Sequence, residues 1–116
     1  MLCMIASDVG AQLRKGVVEY CVLGCLEREP MYGWQLSEVL IGEGMIASIG
    51  TLYPVLARLR EKGLVSSFEK PSEHGPSRRY YRLTPAGTAR LSLFRMQWKP
   101  FAAVVSKIVG EDNARD

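Results

Sequence analysis

Six apolar residues, Leu91, Phe94, Trp98, Phe101, Val105 and Ile108, recur at intervals of 3, 4, 3, 4 and 3. That spacing belongs to a helix packed lengthwise on another helix. Thr84-Pro85 marks its start, a capping residue followed by proline at the first helical position. A helix is therefore expected over 85–109, about 36 Å long at helical rise. The rest of a 116-residue chain is too small to cover so long a seam. A second copy is expected to cover it, making a homodimer with Leu91, Phe94, Trp98, Phe101, Val105 and Ile108 at the interface. The competing arrangement folds the seam back on its own domain. Pro100 removes the backbone bond to the Met96 carbonyl and is expected to kink the helix.

The stretch from Ser48 to Tyr81 predicts a short helix and a two-stranded ribbon. Leu52, Val55, Leu56 and Leu59 fall on one helical face and form core. Ser48 or Thr51 can cap the helix, Pro54 places its first turn near 50–53, and Gly63 supplies a left-handed stop. Val65 and Phe68, then Tyr81 and Leu83, lie on strands joined across a Gly75-Pro76 turn. Tyr80 and Tyr81 should face opposite sides of their strand. Between Arg58 and Arg82 stand seven basic and three acidic residues, a local net charge of +4 in a chain of net +3. Such a helix can enter a major groove, with the ribbon against the backbone. Ser48, Thr51 and Tyr53 are the candidates for reading bases, and Arg58 and Lys62 for touching phosphates. His74, Ser77, Arg78 and Arg79 are the candidate backbone clamp. The competing reading of the cluster is a solvated basic face.

Residues 1–10 form an N-terminal extension without diagnostic features. A helix is expected from Ala11 to about Arg28, apolar around much of its circumference and so buried on more than one side. Arg14 and Lys15 near its start either reach phosphates or are solvated. After Glu29-Pro30, a second helix is expected to open at Met31-Tyr32-Gly33 and run to Gly42. Tyr32 either packs as core or binds a phosphate through its hydroxyl, and Trp34 is expected to pack. Gly42-Glu43-Gly44 is a turn, and Met45-Ile46-Ala47 is expected to add a third strand to the ribbon. The whole is mainly α with a small antiparallel β wing: a winged helix-turn-helix over 11–84, a dimerisation helix over 85–109 and a flexible tail over 110–116.

Gly50-Thr51-Leu52-Tyr53-Pro54, Arg58-Leu59 and Lys62-Gly63-Leu64-Val65 resemble the recognition-helix segment of the PadR family of bacterial transcriptional regulators. Gly75-Pro76-Ser77-Arg78-Arg79-Tyr80-Tyr81-Arg82-Leu83-Thr84-Pro85-Ala86-Gly87 is similar to that family's wing and the entry to its last helix. The resemblance spans roughly Leu13 to Val109. It implies a dimeric winged-helix protein that binds a double-stranded operator and, in most of the family, represses transcription. The family's multidrug-responsive branch lines an apolar pore between subunits with a tryptophan of the last helix. Trp98 occupies a similar place, beside Phe94 and Phe101, which implies a small aromatic or apolar effector held by stacking. The competing reading makes Trp98 a large seam residue. Other members answer to phenolic acids.

Other classes are poorly served. Cys3, Cys21 and Cys25 make an odd count with no Cys-x-x-Cys pair, against a disulfide framework or a zinc site. Cys21 and Cys25, one helical turn apart, are expected as small buried apolar residues, with redox sensing the lesser reading. No apolar run reaches the length of a membrane span, and Met1 to Ile5 lacks the features of a signal peptide, so a cytoplasmic protein is expected. The single histidine, His74, has no nucleophile or metal-ligand set at useful spacing. No enzyme and no cofactor is expected. The alternative to a DNA-binding regulator is a winged-helix adaptor for protein contacts, which would be less basic and carry an exposed apolar patch instead.

Overall fold

A computed structural model describes residues 8–110. Its elements are helices α1 (Asp8–Lys15) and α2 (Val18–Arg28), strand β1 (Met31–Tyr32), helices α3 (Gly33–Gly42) and α4 (Ile49–Glu61), strands β2 (Val65–Ser72) and β3 (Gly75–Leu83), and helix α5 (Pro85–Val109). The three strands form one antiparallel sheet in the order β1-β3-β2. This is a mostly helical winged helix-turn-helix with a small sheet, as expected. The remainder of the N-terminal extension (1–7) and of the tail (111–116) lies outside the described residues.

The expected helix over 11–28 is two helices. The Gly16-Val17 step breaks it: the Val17 amide donates to the Arg14 carbonyl, and the Tyr20 and Cys21 amides then both donate to the Val17 carbonyl. Glycine followed by two β-branched residues is a weak place to continue a helix. The first residues of α1, Asp8 to Gly10, belong to what was expected as extension.

The third strand is also elsewhere. Met31 and Tyr32 are strand, paired with Tyr81 and Tyr80 of β3, and Tyr32 is at the same time the N-cap of α3, which runs from Gly33 to Gly42 as expected. Met45-Ile46-Ala47 forms no strand because its groups are already committed. The Met45 amide closes α3 on the Leu40 carbonyl at 2.8 Å and the Gly44 amide bonds that of Ile41 at 3.0 Å, with Gly44 at φ 75°. Ile46, only 3% exposed, plugs the core. Helix α4 ends in the same way, Leu64 bonding Leu59 and Gly63 bonding Arg60 with Gly63 at φ 74°. Both helices of the helix-turn-helix thus stop on a glycine Schellman motif.

The core gathers Val22, Leu23, Leu36, Leu52, Leu56 and Leu59, joined by Leu64, Val65, Tyr81 and Leu91. Tyr81 is buried and Tyr80 half-buried on the other strand face, as the alternation predicts. Thr84 staples the sheet to α5: its Oγ1 accepts from the Gly87 amide at 3.0 Å and donates to the Gly63 carbonyl at 2.6 Å. Gly87 is there for space, since a Cβ would overlap the Leu64 carbonyl oxygen.

Helix α5 begins against its own domain and then leaves it. Leu91 is 3% exposed, so this member of the expected seam is core of its own chain and unavailable to a partner. Phe94 stacks on Tyr20 with centroids 4.2 Å apart, and Trp98 stacks on Phe94 at 5.6 Å. Arg95 forms a bidentate pair with Glu27 of α2 at 2.7 and 3.1 Å. The helix continues through Pro100 to Gly110, with Phe101 62% and Ile108 77% exposed. The described residues span 57 × 31 × 21 Å with a radius of gyration of 16.3 Å. A compact chain of this size has about 13 Å, the excess being the projecting helix.

Candidate nucleic-acid interface

Helix α4 buries Leu52, Val55, Leu56 and Leu59 and turns Gly50, Pro54, Ala57 and Glu61 directly outward, all exposed. Two flanks border that crest. On one, Thr51, Arg58 and Lys62 look toward α1 and α2. On the other, Tyr53 and Arg60 look toward the sheet. Ser48 holds the N-cap position and is exposed, but neither it nor Thr51 caps the helix through its side chain. Pro54 follows the first turn, close to where it was expected, and forgoes a bond to the Gly50 carbonyl.

The basic residues on the first flank are tied down. Arg58 Nε donates to Glu19 Oε2 at 3.0 Å, and Lys62 Nζ donates to Glu19 Oε1 at 3.2 Å. Burial alone would raise the Glu19 carboxyl, but the hydrogen bonds and charges of Arg58 and Lys62 outweigh it and hold it below its ordinary value. Beside this pair, an open groove of about 470 Å³ runs between α1 and α4, lined by Arg14, Lys15, Met45, Thr51, Pro54 and Arg58 among others.

The second flank opens a cleft of about 490 Å³ lined by Tyr32, Gly33, Trp34, Tyr53, Arg78, Arg79 and Tyr81. Tyr53 reaches across to the start of α3, where a Cβ on Gly33 would stand 3.2 Å from its hydroxyl. The phenol therefore lies at the positive pole of a helix. Arg78 stacks over the Tyr32 ring at 4.6 Å, and Arg79 Nε donates to Glu69 Oε2 at 3.3 Å. Ser77 Oγ donates to the other oxygen of Glu69 at 3.2 Å. Burial pushes the Tyr81 hydroxyl up, while the charges of Arg79 and Arg60 pull the other way, so Arg60 shares this neighbourhood.

The outer sheet face is aromatic and cationic. Tyr32, Tyr80 and Phe68 lie side by side, with Lys70 over Tyr80 and Arg82 over Phe68. His74 sits at the ribbon tip, almost fully exposed, 3.8 Å from the Glu73 carboxylate. Among the described residues no group of three histidines, cysteines or carboxylates could hold a metal ion, and no helix is long and apolar enough to cross a membrane.

The structure thus brings Tyr32, Tyr53, Arg78 and Arg79 to one cleft. It leaves Ser48 and His74 on separate exposed edges and turns Arg58 and Lys62 toward Glu19. It adds Trp34, and Arg60, which the sequence reading did not single out. Trp34 was expected to pack but is 55% exposed at the mouth of the cleft, while Ser37 of the same helix is buried. Arg60 stands two turns from Tyr53 and could have been found on a helical wheel. That the wing lies beside both could not.

Residues 22–93 match the Transcriptional regulator PadR-like family. A transcriptional regulator of Mycobacterium tuberculosis is 36% identical over 81 residues, covering 70% of this chain and 75% of that protein. The crystal structure of a PadR family transcriptional regulator from Eggerthella lenta superposes with a TM-score of 0.81 at 33% identity, covering 93% of this chain and 95% of the other. Bacillus subtilis PadR, crystallised in complex with operator DNA, shares the fold with a TM-score of 0.61 at 22% identity, over 67% of this chain and 46% of its own. With the winged helix-turn-helix, its glycine-stopped helices and its basic wing in place, the chain belongs to the PadR-like family of transcriptional regulators.

Proposed function

We propose that this regulator acts as a homodimer that binds a double-stranded operator sequence-specifically, represses the adjoining genes and releases the DNA on binding a small aromatic or apolar ligand. The observation that carries the DNA reading is the exposed crest of α4 beside the cleft of Tyr53, Arg78 and Arg79. A helix of this kind enters a major groove, and a phosphate fits where guanidinium groups, a phenol and a helix start converge. The operator complex of Bacillus subtilis PadR, with the same fold, supports this reading.

The dimer reading draws on α5. Trp98, Phe101, Val105 and Ile108 are exposed along one stripe, and Val9 and Leu13 of α1 add exposed apolar surface. A stripe of large exposed apolar residues along one helix marks an interaction site. Phe94 and Trp98, already stacked, offer a flat ligand an aromatic neighbour at that interface.

Fluorescence anisotropy on a labelled duplex from upstream of the protein's own gene tests the reading, at two salt concentrations against excess unrelated DNA. Tight, competitor-resistant binding with a steep salt slope is expected. Flat aromatic compounds are then expected to lower the anisotropy. Binding that unrelated DNA abolishes on every upstream duplex tried would instead favour a protein-contact adaptor.

A further inference from the structure

We infer that the crest of α4 reads its operator by apolar contact with thymine methyl groups. This rests on the DNA-binding reading above and specifies what the helix recognises. The outward line of the helix, Gly50, Pro54 and Ala57, is exposed and carries no side-chain donor or acceptor. The polar groups nearest it are turned to its flanks: Tyr53 lies against Gly33, Arg58 and Lys62 are paired with Glu19, and Thr51 and Arg60 are exposed to either side. Glu61 continues the line one turn beyond Ala57, where its charge disfavours a close phosphate. In the major groove the one apolar feature that distinguishes a base is the C5-methyl of thymine. A proline ring and an alanine methyl, one turn apart on the side facing the groove, are shaped to receive it.

Gly50 fits the same purpose. Its φ is not left-handed, and a Cβ there would meet only Ser48 Oγ at 3.7 Å, an ordinary contact. Nothing inside the protein requires glycine at this position, and glycine weakens a helix. Its benefit is external: without a side chain the first turn lies closer to the base edges. Pro54 likewise forgoes a helix bond while its ring is exposed. Two residues costly to the helix thus stand at its groove-facing surface.

The test begins with duplexes enriched from a random pool on the full-length protein. Each thymine of an enriched duplex is replaced in turn by deoxyuridine, which removes the methyl and leaves charge and hydrogen bonding unchanged. One or two positions per half-site are expected to lose about four-fold in affinity each, the transfer value of one buried carbon group, with the salt slope unaltered. In Pro54→Ala, which favours the helix, or in Ala57→Gly, checked for folding by circular dichroism, the penalty at the corresponding thymine is expected to vanish. Gly50→Ala is expected to melt higher and bind every enriched duplex more weakly. Specific binding indifferent to every deoxyuridine replacement overturns the methyl readout and leaves the DNA reading standing. A penalty that survives unchanged in both crest variants also overturns it. A pool in which no sequence is enriched removes both readings.

Discussion

Glu19 of α2 holds Arg58 of α4 at 3.0 Å and Lys62, one turn further, at 3.2 Å. One carboxylate therefore bridges α2 to both basic residues on this flank of α4 and neutralises part of the positive charge beside the crest. The cations are about half exposed, so the pairs should contribute roughly 0–1 kcal/mol. Glu19→Gln is expected to lower stability by that amount at pH 7. The Glu19 carboxyl is held below its ordinary value of 4.5, so its contribution is present above that value and is lost as pH falls through the depressed one. Urea unfolding of both proteins should give a gap at pH 7 that closes as the solution is acidified below the ordinary carboxylate range. A gap that widens in acid would contradict this assignment.

Gly87 sits where α5 leaves the sheet, with the Leu64 carbonyl in the place of a side chain. The obstacle is backbone, so the neighbour cannot turn aside. Gly87→Ala is expected to cost about 1–3 kcal/mol, the range for overpacking a tight site. Thermal melts measure this directly, and an unchanged midpoint would show that the junction is loose.

Tyr53→Phe separates packing from polar contact. The ring keeps its place on Gly33, while the hydroxyl at the α3 start is removed. The melting curve should be unaltered and operator affinity should fall more than ten-fold, since a hydrogen bond to a charged group contributes about 1.5–3 kcal/mol. Arg79→Ala should instead weaken binding to all sequences and lower the salt slope by about one. Anisotropy titrations on specific and unrelated duplexes distinguish the two patterns.

Phe101 is a sharp probe of assembly, because it is 62% exposed on the projecting part of α5. Phe101→Asp is expected to keep the helical signal and convert a dimer to a monomer in light scattering at micromolar concentration. A monomeric parent protein would sink the dimer reading without the variant.

Cys21 and Cys25 are half-buried, and burial pushes both thiols up, Cys25 further through the neighbouring Cys21. Thiolate is the reactive form, so both should alkylate slowly at neutral pH. In a Cys3→Ser protein, mass spectrometry after iodoacetamide should find labelling far slower than for free thiol. Rapid labelling would reopen the redox reading.

Much of the fold was legible from local chemistry. The leucines of α4, the glycine stop at Gly63 and the Thr84-Pro85 start of α5 each act within a few residues, through helical period, a left-handed φ or a capped amide. Other features were less legible, above all where they depend on contacts between residues far apart in the chain. Met31-Tyr32 is a strand only because β3 offers Tyr80 and Tyr81 as partners, and Met45-Ile46-Ala47 is not one because the end of α3 and the core claim it. Leu91 shares the seam's period, yet its own domain reaches it first.

The candidate site divides in the same way. Its wing arginines and the recognition-helix tyrosine were visible as residue types at suggestive spacing. Which of them meet was decided by the fold. Gly33, having no side chain, admits Tyr53 to the start of α3, and Glu19, 39 residues away in the chain, turns Arg58 aside. The sequence by itself determined the elements, the basic segment and the apolar stripe of α5, because period, capping and composition are local. The tertiary structure decided which cations remain for a ligand and which face of α4 is left bare. Pairing and burial are settled by distance in space, which spacing along the chain does not encode.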